Sequence, residues 1–378
     1  MQGSSREVDR AKAGGAAAGS QEHERRNQEG RSGSRETKSE AGGRAPALLG
    51  ATYRPAFLAS FFFLICVICG LYSAKSVGSQ TMKITTPSNF DFKRTVISHG
   101  WCELLPFEVD RERWKLTRVV DLSNEPPATI VISGRKGSLK VETSRPLSQA
   151  GRAKVLREVR HMLRLDDDMS GFYRTVNVDE GFQWIAQQGA GRMLRSPTVF
   201  EDLVKMICTT NCSWALTEKM VTGLVQNLGR ETNDGRKTFP TAEAMARKPL
   251  KFYVDEVRAG YRAAYLKELA ERVASGSLDV EEWLTSPVPT VELIKKMKVV
   301  KGVGDYAAEN LLKLIGRYEH LALDSWTRAK FFHVRNNGRQ ANDKKIARYY
   351  ARFKEWQGLV LWCDMTRDWL DPQGCAQD

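Results

Sequence analysis

Cysteine is scarce, with seven in 378 residues. Their spacing is not that of a dense disulfide framework, which excludes a small stapled secreted scaffold. Acids are outnumbered, 45 against 58 Lys+Arg, for a formal charge of +13. The chain therefore suits an anionic partner, either nucleic acid or an acidic membrane surface, and charge does not choose between them. Long apolar runs are rare, internal repeats are absent, and no membrane-spanning period occurs after residue 82. What is present is an ordinary globular balance, 42% hydrophobic and 27% charged. It excludes a wholly disordered, collagenous or multi-span membrane protein and allows a sizeable core.

The first third divides by composition. Residues 1–55 form a polar leader; its first 50 residues are rich in Gly, Ala, Ser, Arg and Glu, with nine bases and seven acids. They bury too little to offset chain entropy and are expected to be disordered, and their acids fit a transit peptide badly. Residues 56–81 hold an apolar segment and a linker. The uncharged run AFLASFFFLICVICGLY, 56–72, is seventeen residues long, the lower edge of a membrane span. It is either an anchor or targeting segment or part of an untranslated leader, since Met82 opens a self-contained start, MKITTPSNFDF. Residues 82–378 keep 47 bases and 38 acids, so the basic character belongs to the body.

The body changes period once. Between 91 and 145 the runs WKLTRVVDL (114–122), ATIVISG (128–134) and SLKVETS (138–144) alternate or are β-branched. Pro126-Pro127 and Gly134-Arg135-Lys136-Gly137 punctuate them, which predicts an antiparallel sheet domain over 82–148. From 149 to 372 the period is helical, with helices expected near 149–164, 179–189, 199–210, 213–228, 260–275, 290–298, 305–315, 325–332 and 343–370. Strands followed by helices make an α+β fold.

The sharpest local pattern is KMKVVKGVGDYAAENLLKLIG, within a helical hairpin expected over 291–316. One apolar helix runs into Gly302-Val303-Gly304, and a second carries Ala307, Ala308, Leu311, Leu312 and Ile315. Two glycines allow a tight turn and a close backbone approach. Free N–H groups at the second helix start suit a phosphate without regard to base sequence, and Lys298 and Lys301 add charge. This is the pattern of a helix-hairpin-helix; the plainer reading is an ordinary αα-hairpin with a glycine loop. Twenty residues past Gly304, HLALDSWTR places Asp324 at a helix start, where it can cap the helix and still face a DNA sugar.

Together, SPTVFEDLVKMICTTNCSWA (196–215), GYRAAYL (260–266), KGVGDYAAENLL (301–312) and LALDSW (321–326) resemble the helix-hairpin-helix-GPD superfamily of DNA glycosylases. The resemblance spans about residues 90–370, and LDDDMSGFY (165–173) is similar to the 3-methyladenine glycosylase II branch. It implies a small sheet domain followed by a helical glycosylase domain. It also implies a base excision repair enzyme that flips a damaged base from the duplex and cuts its N-glycosidic bond. Asp324 matches the family's catalytic aspartate, which stabilises an oxocarbenium-like sugar and orients water. Tyr306 stands where lyase-competent members carry a Schiff-base lysine, which implies a monofunctional enzyme. Only Cys363 and Cys375 follow Asp324, too few for the iron–sulfur loop of some members.

The resemblance also implies DNA contacts. Asn211 matches a residue that fills the vacated duplex space, Tyr261 a wedge, and Arg262 a reader of the orphaned base. Read as an amphipathic helix, the same segment would bury Tyr261, Tyr265 and Leu269 and leave Arg262 solvated. Trp362 matches a stacking aromatic of the 8-oxoguanine branch, and Trp214, Trp326 and Trp101 are further pocket aromatics. Gly358 and Leu216 replace a purine-reading glutamine and a second arginine of that branch. The expected lesion is therefore an alkylated purine, with an 8-oxoguanine-type glycosylase as the alternative and a non-catalytic DNA-binding protein as a second. No His/Cys spacing around His320 and His333 resembles a zinc site, and no metal or cofactor is expected. Carbonyls of Lys298, Val300 and Val303 would be candidates for a monovalent ion. The expected partner is damaged double-stranded DNA, met by a monomer. The expected compartment is the nucleus, or alternatively an organelle or a membrane reached through residues 56–72.

Overall fold

A computed structural model describes residues 79–122 and 124–370. The readings of 1–55 as a leader and of 56–72 as an apolar anchor lie outside these residues, as does Cys375. Among the described residues no helix is long and apolar enough to cross a membrane.

Five strands form one antiparallel sheet in the order β1-β5-β4-β3-β2. They are β1 (Gln80–Thr85), β2 (Phe107–Asp110), β3 (Lys115–Val120), β4 (Ala128–Arg135) and β5 (Ser138–Thr143). The three expected runs supply β3, β4 and β5. Arg135 pairs with Ser138 across Lys136-Gly137, where Gly137 takes φ 68, as a two-residue hairpin requires. β1 and β2 were not expected: one is polar and exposed at alternate positions, and the other is only four residues long. β1 starts ahead of Met82, pairing Gln80 with Thr143 and Thr81 with Glu142. Leu116, Ile130, Ile132, Leu139 and Val141 are fully buried, so alternation puts one apolar face into the core.

The helices follow. They are α1 (Phe92–Val96), which precedes β2 in the chain, then α2 (Gln149–Met162), α3 (Ser170–Asn177), α4 (Gln183–Gln187), α5 (Val199–Thr209) and α6 (Trp214–Leu228). Next come α7 (Ala242–Ala246), α8 (Leu250–Asp255), α9 (Arg262–Ala274), α10 (Thr290–Lys298), α11 (Asp305–Ile315), α12 (Ser325–Arg335), α13 (Asp343–Tyr350) and α14 (Gln357–Met365). Two expected helices are corrected. The helix placed at 179–189 is shortened to α4, because Asp179 instead accepts the Gly181 N–H in a turn, and α3 ahead of it was not expected. The helix placed at 343–370 breaks between α13 and α14, where Lys354 takes φ 49 and interrupts the backbone ladder.

α5 is the keystone. It is buried on every side, including its charged residues Glu201, Asp202 and Lys205. Glu201 receives both guanidinium nitrogens of Arg118 on β3, at 3.0 and 2.6 Å, and the Lys205 amine at 2.7 Å. These cations hold its carboxyl down to about 2 despite complete burial. Phe107 packs against both cations, with centroid distances of 4.4 and 4.8 Å. The sheet is thus joined to the helix that carries one wall of the site.

Candidate active site

The turn between α10 and α11 is built from two glycines with different physical demands. Gly302 takes φ 88, and a Cβ there would sit 2.8 Å from the Tyr265 ring. Only glycine satisfies both the left-handed backbone and the contact with α9. Gly304 has φ −89, which any residue adopts, and a Cβ there would meet nothing within 4 Å. No contact among the described residues requires glycine at 304. Gly304 is also the N-cap of α11 and has no side chain to cap it, which leaves the first N–H groups of that helix facing outward. Val303 is buried, and its N–H is bonded to the Val300 carbonyl at 3.1 Å. The two lysines are not free charges. Lys298 pairs with Asp305 at 2.6 Å and Lys301 with Glu268 of α9 at 2.7 Å.

Asp324 begins α12. Its Oδ1 accepts the Thr327 N–H at 2.7 Å and the Thr327 hydroxyl at 2.8 Å, while Thr327 Oγ1 accepts the Asp324 N–H at 2.8 Å. One oxygen is therefore committed to the cap. Oδ2 has no hydrogen-bond partner among the described residues, and Asp324 lines a cavity of about 720 Å³. Capping therefore consumes one oxygen of a carboxylate that also lines the cavity and leaves the other without a partner.

The cavity walls come from distant parts of the chain. Trp214, Trp326 and Trp362 all line it, with Trp101 and His99 from the segment after α1 and Tyr306 from α11. Each ring is held by a specific contact. Trp101 Nε1 donates to Asp202 of α5 at 2.8 Å, and Trp362 Nε1 donates to the Ser98 carbonyl at 2.7 Å. Trp326 tilts against Trp362, with centroids 5.8 Å apart. Trp214 lies over Gly100, where an added Cβ would fall 2.3 Å from the ring. His99 is buried, and burial lowers its imidazole to about 4. The neutral ring must donate Nε2–H to the Leu194 carbonyl, 2.5 Å away, because a carbonyl only accepts. Tyr306 bonds to Thr209 and lies in the field of Asp324; burial, with Asp324 adding, raises its phenol. No lysine is among the residues lining this cavity.

The expected duplex contacts gather beside the cavity mouth, with one reversal. Asn211 takes φ 45 at the exposed tip after α5 and lines the cavity. Tyr261 is 52% exposed, and its hydroxyl lies 3.5 Å from the Thr210 carbonyl, so the two protrude side by side. Arg262 is turned inward and only 6% exposed. Its guanidinium donates to the Thr210 carbonyl and, at 3.2 Å, to the Thr210 hydroxyl, and it packs under the Tyr261 ring at 4.4 Å. The amphipathic alternative is inverted, with the tyrosine outside and the arginine inside. Arg262 supports the Asn211 turn from below, with Nε and Nη2 both bonded to Thr210. The sequence also did not single out His99, Thr209 or Asn310 as cavity residues. Each is brought there from an unrelated segment, and no local pattern marks it.

The antiparallel sheet, the helices that follow it and the glycine hairpin form the fold of helix-hairpin-helix DNA glycosylases of known structure. The comparisons agree. The chain is 24% identical over 228 residues to a DNA-3-methyladenine glycosylase of Bacillus subtilis, a match spanning 58% of this chain and 75% of that one. It is 27% identical over 139 residues to an N-glycosylase/DNA lyase of Saccharomyces cerevisiae, covering 35% and 36% respectively. The 3-methyladenine DNA glycosylase of Archaeoglobus fulgidus superposes with a TM-score of 0.61 at 21% identity, over 77% of this chain and 99% of that one. An 8-oxoguanine glycosylase/lyase of Clostridium acetobutylicum superposes with 0.60 at 17% identity, over 77% and 98%. No protein-family model matches the chain. Its relatives and structural neighbours are DNA glycosylases of the helix-hairpin-helix-GPD superfamily.

Proposed function

We propose that this chain is a monofunctional DNA N-glycosylase of base excision repair, acting on a damaged purine of the alkylated class in double-stranded DNA. The observation that carries it is Asp324, with Oδ1 spent on its helix and Oδ2 free in a cavity walled by four tryptophans. A flipped purine stacks on these rings. As the C1′–N9 bond lengthens, its electron pair leaves with the base and positive charge develops on the sugar. The Asp324 carboxylate stabilises that charge and accepts a proton from the water that bonds to C1′. Phosphates of the duplex are held at the open turn of Gly302, Val303 and Gly304, and Asn211 and Tyr261 occupy the space the base vacates.

Two features support the finer assignment. Tyr306 stands on the cavity wall at the lyase-lysine position, and a phenol forms no imine; no lysine amine lines the cavity to replace it. Gly358 is pressed against backbone, where a Cβ would lie 2.0 Å from the His320 carbonyl oxygen, so no purine-reading glutamine fits there. Recognition by stacking then replaces recognition of a purine edge. Such repair belongs in the nucleus or an organelle holding DNA, and separating full-length protein by cell fractionation checks this.

The test incubates wild type and Asp324→Asn with labelled duplexes bearing alkylated purines, 8-oxoguanine, hypoxanthine or uracil. Products are resolved before and after hot alkali. Alkali-dependent strand breaks at an alkylated purine, lost in the variant, are expected. Breaks without alkali overturn the monofunctional reading, and preference for 8-oxoguanine overturns the lesion class. Duplex binding with no release of any base favours the non-catalytic alternative.

A further inference from the structure

Behind the cavity lies a cation that the mechanism above does not use. Lys313, on α11, is 0% exposed. It follows Tyr306 and Asn310 along one face of the helix, at steps of four and three residues. Its amine is 5.2 Å from the centroid of Trp362 and 3.5 Å from Asn310 Oδ1. It forms no ion pair among the described residues. Asp324 and Glu309 act on it only at a distance, and burial lowers its amine to about 8, so it is still largely protonated near neutral pH. Trp362 lines the cavity and Lys313 does not. The ammonium thus stands over the Trp362 ring without itself lining the cavity.

This placement changes what the aromatic wall can recognise. An electron-rich indole attracts a cationic base through its π-face. Here the π-system of Trp362 already faces an ammonium, and a base stacked about 3.5–4 Å away on the other side feels that charge across a dry wall. A purine alkylated at N3 or N7 is cationic in DNA and leaves as a neutral base. A neutral adduct, such as 1,N6-ethenoadenine, leaves with the bond pair on its imidazole nitrogen and develops negative charge. A fixed cation behind the stacking wall opposes the first in the ground state and favours the second in the transition state.

We propose that Lys313 is a specificity-determining residue: its ammonium, acting through Trp362, biases the pocket toward neutral alkylated purine adducts that leave as anions and against cationic N-alkylpurines. This rests on the glycosylase reading and narrows its substrate class.

The test compares full-length wild type, Lys313→Met and Lys313→Arg on duplexes carrying 1,N6-ethenoadenine or 7-methylguanine. Each excision rate is divided by the spontaneous release rate from the same duplex, which removes the greater intrinsic lability of the cationic base. Wild type is expected to accelerate release of the neutral base more than the cationic one. Lys313→Met should shift the ratio of the two accelerations toward the cationic base by about tenfold, and Lys313→Arg should keep it. A purely structural role lowers both rates together and leaves the ratio unmoved, which would overturn the proposal. If Lys313→Met does not fold, wild type and Lys313→Arg decide: a larger wild-type acceleration for 7-methylguanine than for 1,N6-ethenoadenine overturns it. Release of neither base by wild type overturns the charge selectivity, and the glycosylase reading falls with it only if the 8-oxoguanine, hypoxanthine and uracil duplexes also release nothing.

Discussion

The hairpin turn and the aromatic cavity lie on the same helix, α11, yet they are made in opposite ways. The turn is local. A few consecutive residues set its geometry, and Gly302 is required by its own φ and by one neighbouring ring. The cavity is assembled. Trp101, Trp214, Trp326 and Trp362 come from four separate segments, and each ring is oriented by a partner outside its own segment or by a glycine that leaves room for it. A local device survives changes elsewhere; an assembled one depends on the packing that brings its parts together. On the proposed function, lesion choice would sit in the part that sequence encodes least directly, and grip on DNA in the part it encodes most directly.

The largest effect is expected where the two modes meet. Asp324→Asn keeps a good N-cap residue and removes the charge, so excision should fall by roughly 100-fold or more. The melting temperature should stay nearly constant, and single-turnover assays beside thermal melts check both. Next, Gly304→Asp keeps a cap-competent residue and places a negative charge on the open side of the turn. Duplex affinity should drop by about tenfold at low salt, for lesion and undamaged DNA alike, with a smaller loss as salt rises. Gly302→Ala, two residues away, should cost about 1–2 kcal/mol of stability through its left-handed backbone and the Tyr265 clash. If Gly304→Asp destabilises the fold more than Gly302→Ala does, the division of labour within the turn is wrong.

A separate effect concerns the cavity wall and pH. His99 and His161 are both held down to about 4, chiefly by burial, against an ordinary value of 6.5. Between those values the unfolded chain binds protons that the folded chain refuses, so their contribution to stability is present at neutral pH and lost as pH falls from 6.5 toward 4. His99→Gln, which can still donate to Leu194, should flatten this part of the stability–pH curve. Urea midpoints at pH 4.5 and 7 for wild type and variant measure it.

Legibility followed the same division. Helices α10 and α11 fall where apolar spacing and the glycine pair place them, 290–298 and 305–315. Asp324 was visible as a cap, and the structure adds that one oxygen is left over. β1 was missed because its strand character comes from pairing with β5 and not from alternation of large apolar residues. The amphipathic alternative misplaced Arg262 because helical periodicity treats arginine as solvated, whereas the Thr210 carbonyl draws it inward. Lys313 stood out only as a lysine that does not match the lyase position, and its burial was not legible: a lysine in an apolar helix reads as a surface residue until a tryptophan from a distant helix covers it.

Period-2 and helical spacings, glycine pairs and capping residues act within a few residues, so the linear chain alone determined the α+β order, the hairpin and the carboxylate at the start of α12. Which rings face one another, which oxygen of Asp324 remains open, whether Arg262 points in or out, and what charge stands behind Trp362 were decided by tertiary structure. Those outcomes depend on desolvation and on contacts between segments tens to hundreds of residues apart, such as Trp362 with Ser98.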